Sequence, residues 1–363
     1  MITKYLFIDD ETGSVTNALL DGFNDKEIVH IIPLELNKGE SFEVVCKRTK
    51  EEVSNYQYDG VLIDLCLDGS GANSLLFKAQ PFVQQIRSWA SEGVIPNIPV
   101  VLCSTIENFD VYKKDSASHD LFDYYINKTE ANFEEESMRM KALADGYHIL
   151  NGNHVDANNF LGRTDLGKID DTIIDYLKGA SAFDVAQRII KEVIPYPGLL
   201  IDQDTVAARM GIFKNEGKGW GKLREAISNR AMYKGVFASG WERYWSDKVN
   251  DFFMSLSEGI PYQVLNAAER VEILEKAGYD GLETAKPVKM NKSSYFDTSC
   301  CYSHRPLDSM EGIPVEDSMS LMPWQENHYV SFYYTAKGDF KEENLCQEGI
   351  RKFQEFIQTS KNE

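Results

Sequence analysis

The sequence has little positive charge and no long apolar run. Its 363 residues include 38 Lys and Arg against 57 Asp and Glu, which gives a formal net charge of −19. A surface this acidic disfavours non-specific contact with nucleic acid or anionic membranes, so we expect neither DNA nor a membrane as a partner. No stretch reaches the roughly 18 apolar residues that span a bilayer. The N-terminus enters a predicted strand without a signal-peptide core, so we expect a cytoplasmic protein.

A disulfide framework and the common catalytic motifs are also missing. The six cysteines are scattered, and Cys66 and Cys103 lie in apolar, strand-like runs, which favours reduced thiols. The sequence has no glycine-rich phosphate loop, no HExxH metal motif and no GxSxG nucleophile motif. This excludes the enzyme classes that those motifs define. An effector enzyme with dispersed active-site residues stays open.

What the chain does have is a globular composition, 43% hydrophobic and 12% aromatic, over a length that suits two domains. Up to about residue 130, short apolar runs alternate with segments of helical length. Near-continuous apolar strands separated by helices predict a five-stranded parallel sheet in a doubly wound α/β domain. The predicted strands are 4–9, 28–34, 60–66, 99–103 and 123–127, and the predicted helices are 14–23, 40–55, 73–91 and 107–121.

The pattern changes beyond residue 130. Residues 130–146 predict a helix that closes the first domain, and the polar, Asn- and Gly-rich stretch 149–167 predicts a linker. We therefore divide the chain into a first domain over 1–148 and a mostly α-helical second domain over 168–363. In the second domain the apolar periodicity predicts one strand, 328–335, and helices over 168–194, 203–212, 219–233, 241–256, 263–277 and 342–359.

Polar side chains follow the predicted strands of the first domain. Asp9 and Asp10 end the first strand, and Asp64 ends the apolar part of the third. The fourth strand is followed by a Ser-Thr pair at 104–105, and the fifth by Lys128. In an open parallel sheet the carboxyl ends of the strands form one rim, so we expect these groups to converge. Carboxylate oxygens are ligands that Mg²⁺ prefers, which makes this rim a candidate magnesium site.

The order and spacing of these residues resemble the receiver domain of two-component response regulators, over about 130 residues. The matching segments are LFIDDE, YDGVLIDLCLDGSG, IPVVLCST and DYYINK. The resemblance implies a flavodoxin-like fold in which Asp64 accepts a phosphoryl group. It also implies that Asp10 binds Mg²⁺ directly, that Asp9 acts mainly through water, and that Asp64 and the Cys66 backbone carbonyl complete the protein ligands.

The remaining roles also come from the resemblance. Ser104 is expected to hydrogen-bond the phosphoryl oxygens, beside Thr105, and Lys128 to pair with them. Tyr125 matches the aromatic residue that rotates inward on activation. Thr105 is larger than the usual family residue, Asp68 replaces a common proline, and the lysine is followed by threonine rather than proline. A receiver-like domain that does not turn over therefore stays an alternative.

The resemblance also implies partners. We expect a histidine kinase or a phosphotransfer protein as phosphoryl donor, an unknown downstream protein as reader, and a homodimer through the face of the fourth and fifth elements. The second domain would then be an interaction module in a phosphorelay. The alternatives are an effector enzyme gated by the receiver, for example in a bacterial defence system, and a transcriptional regulator.

Three stretches of the second domain carry alternatives of their own. Residues 204–233 resemble a basic helix-turn-helix, with a plain helical hairpin as the other interpretation. The aromatic residues of 233–253 predict either core or a partner-binding surface. Cys300, Cys301 and His304 suggest a nucleophilic Cys–His pair or an ordinary loop. The basic residues of 204–233 are Lys214, Lys218, Lys222, Arg224 and Arg230.

Overall fold

The computed structural model describes residues 2–11, 14–55, 58–68, 73–105, 121–152, 157–169, 171–178, 181–214 and 218–361. The predicted helix over 107–121 falls almost entirely on residues outside these ranges. The chain divides into two compact units. The first comprises Met1–Leu166, Ile174–Ile190 and Lys234–Trp241, and the second comprises Gly167–Ile173, Lys191–Tyr233 and Glu242–Glu363.

The first unit is built on a five-stranded parallel sheet, which confirms the predicted sheet. Its strand order is β2-β1-β3-β4-β5, one of the two common orders of doubly wound folds and the one found in flavodoxin-like proteins. The order reverses between β1 and β3, so the crevice that binds ligands in such folds lies at the ends of these two strands. The strands are β1 Thr3–Ile8, β2 Val29–Pro33, β3 Gly60–Ile63, β4 Val100–Ser104 and β5 Tyr124–Asn127.

Helices cover both faces of this sheet, because successive strand residues point to opposite sides. Leu6 and Ile8 join a buried core that includes residues of α2 and α3. Tyr5 points the other way, and its hydroxyl donates to Met140 O in α4 at 2.7 Å. The helices of this part of the chain are α1 Ser14–Asn24, α2 Phe42–Ser54, α3 Ala79–Ser91, α4 Phe133–Leu150, α5 Ala157–Leu161, α6 Asp171–Leu177 and α7 Ala182–Arg188.

Local capping explains where two of these helices begin. Asn132 accepts the Glu135 N–H at the start of α4, and three glutamates in the first turn favour the positive end of the helix dipole. Ser181 and Asp184 form a reciprocal capping box at the start of α7. The single helix predicted over 168–194 is therefore wrong, since α7 has its own start signal and continues into a π-helical turn at Ile189–Val193.

The second unit combines helices with three two-stranded antiparallel ribbons. Its helices are α8 Gln203–Arg209, α9 Lys218–Ala231, α10 Ser246–Leu256, α11 Ala267–Lys276, α12 Phe332–Lys337 and α13 Gln347–Lys361. Its ribbons pair β6 Leu200–Ile201 with β7 Tyr244–Trp245, β8 Thr298–Ser299 with β9 Pro306–Leu307, and β10 Gly312–Pro314 with β11 Tyr329–Ser331.

One predicted strand of the second domain is wrong over most of its length. The expected strand 328–335 ends at Ser331, whose side chain accepts the Tyr333 N–H and caps α12. The helix then stops at Gly338, which takes the left-handed φ of +83° typical of a helix C-terminus. Among the described residues, no helix is both long enough and apolar enough to cross a membrane.

Residues 234–241, which we call the strap, pack against α4 and β5 within the first unit. The Phe237 ring lies over Gly146, where an added Cβ would come within 2.2 Å of a ring carbon. Phe237 is 2% exposed and has a φ of +68°, a strained backbone conformation for an aromatic residue. Trp241 meets Tyr124 edge-on, with ring centroids 5.5 Å apart. Two aromatic side chains therefore anchor the strap.

We expect Gly146→Ala to destabilise the protein by about 1–3 kcal/mol, because the new methyl group and the Phe237 ring compete for the same space. The sign is diagnostic, since alanine in place of glycine normally stabilises a helix interior by up to about 1 kcal/mol. Gly221 in α9 has no described neighbour within 4 Å of an added Cβ, so Gly221→Ala is the stabilising control. Thermal unfolding measures both, and a stabilising Gly146→Ala would show that Phe237 does not pack on α4.

Candidate functional site

Three carboxylates meet where β1 and β3 end. Asp9 and Asp10 follow β1, and Asp64 follows β3, its neighbour in the sheet. One oxygen from each carboxylate lies within 4.8 Å of the other two, and all three residues are buried. Two backbone hydrogen bonds hold the arrangement: Asp64 N donates to Ile8 O at 2.9 Å, and Asn73 N donates to Asp10 O at 3.0 Å. The three acids therefore lie together at the rim where the sequence predicted them.

Lys128 brings the fifth strand to the same cluster. Its N–H donates to Ser104 O at 2.9 Å, which continues the parallel pairing one residue beyond β5. The Lys128 ammonium lies 2.8 Å from Asp9 Oδ2 and 3.3 Å from Asp64 Oδ1. Burial alone lowers the pKa of a lysine, but the attraction of Asp64 and Asp9 outweighs burial and raises the pKa of Lys128. The side chain is therefore a cation throughout the physiological pH range.

Asp10 is the acid of the cluster whose negative charge is least offset by hydrogen bonds and positive charges. Its Oδ2 is buried and accepts no hydrogen bond from any residue that the structure describes. Burial, followed by repulsion from the neighbouring carboxylates of Asp9 and Asp64, raises the pKa of Asp10 to about 6. Burial also raises the pKa of Asp64, although Lys128 opposes that shift. The cluster thus carries more negative charge than its own lysine offsets.

The donor set fits a hard divalent cation such as Mg²⁺. Mg²⁺ binds carboxylate oxygens and keeps several waters, so two or three acids at one edge suffice. Three carboxylates and one ammonium leave an excess of two negative charges, and Asp10 Oδ2 accepts from no residue in the described part of the chain. Asp10 and Asp64 are the residues that would hold the cation most directly, because each has a buried carboxylate oxygen with no hydrogen-bond partner among the described residues, whereas Asp9 Oδ2 accepts from Lys128.

Four further predicted residues lie on β4 and β5 or just beyond the ends of β3 and β4. Ser104 is fully buried, and its side chain hydrogen-bonds the Asp64 carboxylate. Thr105 follows it and is partly exposed. Tyr125 packs against the core of the sheet. Burial, then the charge of Asp64, raises the pKa of the Cys66 thiol, so this cysteine lies near the acids as a neutral group. The roles expected of Thr105, Tyr125 and the Cys66 carbonyl stay predictions.

Open space gives access to the cluster beside α1. A cavity of about 380 Å³ borders Asp9 and Lys128, and its wall includes Glu11, Thr16 and Phe133. A second cavity, of about 340 Å³, also borders Asp9. The open space therefore reaches the side of the cluster formed by Asp9 and Lys128, and neither Asp10 nor Asp64 lines either of these two cavities.

Without divalent cations at about pH 7.5, we expect Asp10→Asn to raise the free energy of unfolding by about 2 kcal/mol, after allowance for screening. The pKa of Asp10 is about 6 in the folded chain and roughly 3.9 in an unfolded one. The folded state holds this proton more tightly, so the stability of the wild type falls as pH rises from about 4 to 6. The advantage of asparagine should grow over the same window.

Saturating Mg²⁺ should reverse this order. A cation bound only by the folded state stabilises the wild type, whereas Asp10→Asn lacks one of its ligands. Thermal unfolding at about pH 4 and 7.5, in EDTA and in MgCl₂, measures both effects. Asp68→Asn is the matched control, because Asp68 is exposed and lies outside the cluster. If Asp10→Asn were no more stable than the wild type in EDTA at the higher pH, the repulsion inferred among the acids would be wrong.

The amino end of β5 carries a second buried charge network, which the sequence did not lead us to predict. The Asp123 carboxylate accepts from Arg87 Nη2, the Val100 N–H and the Tyr147 hydroxyl, each at 2.7 Å, and from Gln187 Nε2 at 2.6 Å. Arg87 sits on the apolar face of α3, and its charge at that position is the one sequence signal for the network. The network ties α3, α4, β4 and α7 to β5 inside the first unit.

Three of the basic residues of 204–233 have partners within the second unit. Arg224 forms an ion pair with Glu242 at 2.6 Å, and Lys214 forms one with Asp204 at 2.5 Å. Lys222 donates to the Gly278 carbonyl at 2.8 Å. Because Lys222 is exposed and Arg224 is half-exposed, these contacts do not decide between a helix-turn-helix and a plain helical hairpin, and both stay predictions.

The two other patterns of the second domain favour their structural interpretations. Trp245, Phe252 and Phe253 are each 2% exposed or less, so these aromatic residues are core. Burial raises the pKa of Cys301 to about 12, which disfavours the thiolate that a nucleophile needs. His304 instead faces Asp204, with Nδ1 3.1 Å from Oδ2.

Comparison with known proteins does not assign a family or a function to the chain. No protein-family model matches the chain, and no curated protein matches it. What the protein does therefore has to be inferred from the sheet, the acid cluster and their chemistry.

Proposed function

We propose that the first unit is a response-regulator receiver that accepts a phosphoryl group on Asp64. The observation that carries the proposal is the Lys128 ammonium, which lies 2.8 Å from Asp9 and 3.3 Å from Asp64 at the crevice of a 2-1-3-4-5 parallel sheet. An acid cluster alone has many explanations. An acid cluster with a strand-end lysine and a buried strand-end hydroxyl, Ser104, is what phosphoryl transfer to a carboxylate needs.

The chemistry follows from the charges. An Asp64 carboxylate oxygen attacks the phosphorus of a phosphohistidine on a kinase or phosphotransfer protein, and the P–N bond breaks as the new O–P bond forms. Lys128 offsets the negative charge of the phosphoryl oxygens, and Ser104 can donate its hydroxyl proton to one of them. When bound by Asp10, Asp64 and Asp9, Mg²⁺ supplies further neutralisation of the same oxygens. Asp64, Lys128 and Ser104 thus position the phosphoryl group and neutralise its oxygens, so the site needs little reorganisation during the transfer.

The strap suggests how the state of the site is read. Tyr124, which contacts Trp241 of the strap, is the neighbour of the proposed switch residue Tyr125 and lies four residues before Lys128. We therefore propose an intramolecular first step, in which a change at β5 alters the contact with the strap. The strap also covers part of the face expected to form a homodimer, so a dimer through that face requires its displacement.

A small-molecule donor tests the proposal directly. The full chain is incubated with acetyl phosphate and Mg²⁺, and intact-mass spectrometry measures the addition of one phosphoryl group. We expect addition with Mg²⁺ and none in EDTA. If the wild type binds Mg²⁺, as measured by thermal stabilisation, but gains no phosphoryl group from acetyl phosphate or a phosphohistidine donor, the acceptor role is wrong and only a metal site remains.

A further inference from the structure

Two loops of the second unit, 289–295 and 308–311, expose large apolar side chains. Met290 and Tyr295 on the first loop are 54% and 48% exposed, and Met310 on the second loop is 81% exposed. Isolated apolar side chains are normal on a protein surface, whereas a group of them on adjoining segments is typical of an interaction site. Whether these three side chains form one group depends on the contacts between the loops.

Hydrogen bonds join the two loops. Asn291 Nδ2 donates to Glu311 O at 2.7 Å. One oxygen of the Glu311 carboxylate accepts the backbone N–H groups of Lys292 at 2.8 Å and Ser293 at 2.9 Å. The Ser293 hydroxyl also donates to the Asp308 carboxylate. Because the two exposed methionines directly precede the residues of the first bond, they lie at adjoining positions on one surface.

The backbone at Met290 is strained. Its φ of +73° lies in the left-handed region, which is uncommon for any residue other than glycine. Such strain persists only where the surrounding bonds fix the chain, and it is found often at binding sites. Here the Ser331 hydroxyl donates to Asn291 Oδ1 at 2.9 Å, and the Asn291 N–H donates to Val288 O at 3.0 Å. The loop therefore presents its exposed methionine from a fixed position, which lowers the entropic cost of binding a partner.

The charges of the two loops favour an acidic partner. Their two acids, Asp308 and Glu311, accept hydrogen bonds from backbone N–H groups of the loops. Lys289 and Lys292 are exposed, and neither forms an ion pair with a residue in the described part of the chain. Lys352 adds a third ammonium, which donates to a backbone carbonyl of the second loop at 3.1 Å. Three lysines against two acids leave one net positive charge at this place, whereas the whole chain carries −19.

We propose that a surface formed by five side chains of these loops, which we call the Met–Lys surface, binds a short acidic segment of a partner protein. An apolar side chain of the segment packs on the two methionines and the tyrosine, and its carboxylates pair with the two lysines. Methionine adapts its shape to a partner, and tyrosine is enriched among the residues that dominate binding energy. The proposal is independent of phosphoryl transfer in the first unit. The five residues are Lys289, Met290, Lys292, Tyr295 and Met310.

The size and charge of the Met–Lys surface favour a segment over other partners. Five side chains are far fewer than the roughly 20–30 residues that each protein contributes to an interface of standard size, so a segment suits the surface better than a folded domain. An anionic membrane is the poorer occupant, because an extended surface also meets the acids of a chain with a net charge of −19. A short segment meets mainly the lysines.

Selection of short random peptides by phage display on the immobilised full chain, followed by fluorescence anisotropy of the enriched peptides, tests the proposal. We expect peptides in which Asp or Glu flanks a large apolar residue. Met310→Ser removes the most exposed apolar contact and Lys292→Glu reverses a pairing charge, so each should weaken those peptides by about tenfold. Leu76→Ser and Lys47→Glu are the matched controls and should change nothing, because they alter exposed side chains of the first unit.

Three results would overturn the docking site. One is that no enriched peptide loses affinity in either variant, and another is that the enriched peptides have no excess of acids. The third is sedimentation with vesicles of phosphatidylcholine and phosphatidylglycerol that Met310→Ser abolishes, in the absence of any such peptide, which would assign the surface to a membrane. The loop bonds use only the backbone of Met310 and Lys292, so both variants should fold, and circular dichroism checks this.

Discussion

Asp64→Asn is expected to abolish phosphoryl addition from acetyl phosphate, with a fall of more than about 10³-fold, because the amide that replaces the carboxylate is not a nucleophile. The substitution keeps the size of the side chain and removes one of three mutually repelling charges. The ion pair between Lys128 and Asp9 at 2.8 Å remains. The variant should therefore be at least as stable as the wild type in EDTA, and thermal unfolding separates lost chemistry from lost fold.

Beryllofluoride with Mg²⁺ supplies the second arm of this experiment, since it mimics a phosphoryl group on a carboxylate. Hydrogen exchange of peptides that contain Tyr124 and Trp241 reports on the strap contact. We expect a change in the wild type and none in Asp64→Asn. Asp68→Asn is the control for charge alone, because Asp68 is exposed and lies outside the acid cluster. Full activity in Asp64→Asn would move the acceptor to another carboxylate.

The acid cluster could be predicted from the sequence because each of its members ends a strand. Apolar runs gave all five strands to within a few residues, and parallel strands bring their carboxyl ends to one rim. The pairings of β3 with β4 and of β4 with β5 then place Asp64, Ser104 and Lys128 together. In a doubly wound sheet a few topology rules set the order of the strands, so local sequence patterns are enough to predict which residues meet at the rim.

No comparable topology rule predicts how the helices and short ribbons of the second unit pack. The alternating apolar pattern of 328–335 predicted a strand, but the Ser331 side chain caps a helix that begins at Phe332. A cap outweighs the weak β preference of a short edge segment. The ribbons β6–β7 and β8–β9 have two residues in each strand, too few to show any period. The strap could not be predicted either, because its anchor is space left by Gly146, over 90 positions away in sequence.

The buried charge of Arg270 is a further feature of the second unit that could not be predicted from the sequence. It is 0% exposed and donates to the Leu265, Ala208 and Phe296 carbonyls, so one guanidinium joins segments that only the folded chain brings together. Burial lowers the pKa of Arg270 to about 10, and it remains charged at neutral pH. On the sequence alone it looks like an ordinary helix residue between Glu269 and Val271.

Asp123→Asn is expected to cost about 3–5 kcal/mol of stability, because it leaves the buried Arg87 guanidinium without its counter-charge. The geometry adds a second penalty. Each Asp123 oxygen accepts from two donors, so an amide NH₂ in either position would face donors such as the Val100 N–H or the Tyr147 hydroxyl. Urea unfolding at neutral pH measures the loss.

A double-mutant cycle decides whether the pair itself is responsible. Arg87→Met removes the buried charge, so Arg87→Met with Asp123→Asn should cost clearly less than the sum of the single changes, with a coupling of at least about 1 kcal/mol. The exposed pair of Lys47 and Glu51, 4.0 Å apart on α2, is the matched control and should couple by no more than about 0.5 kcal/mol. Additive losses at Arg87 and Asp123 would mean that the backbone carbonyls, rather than Asp123, hold the guanidinium. Strong coupling would establish that one buried ion pair fixes β5 to α3, and with it the strand that delivers Lys128 to Asp64.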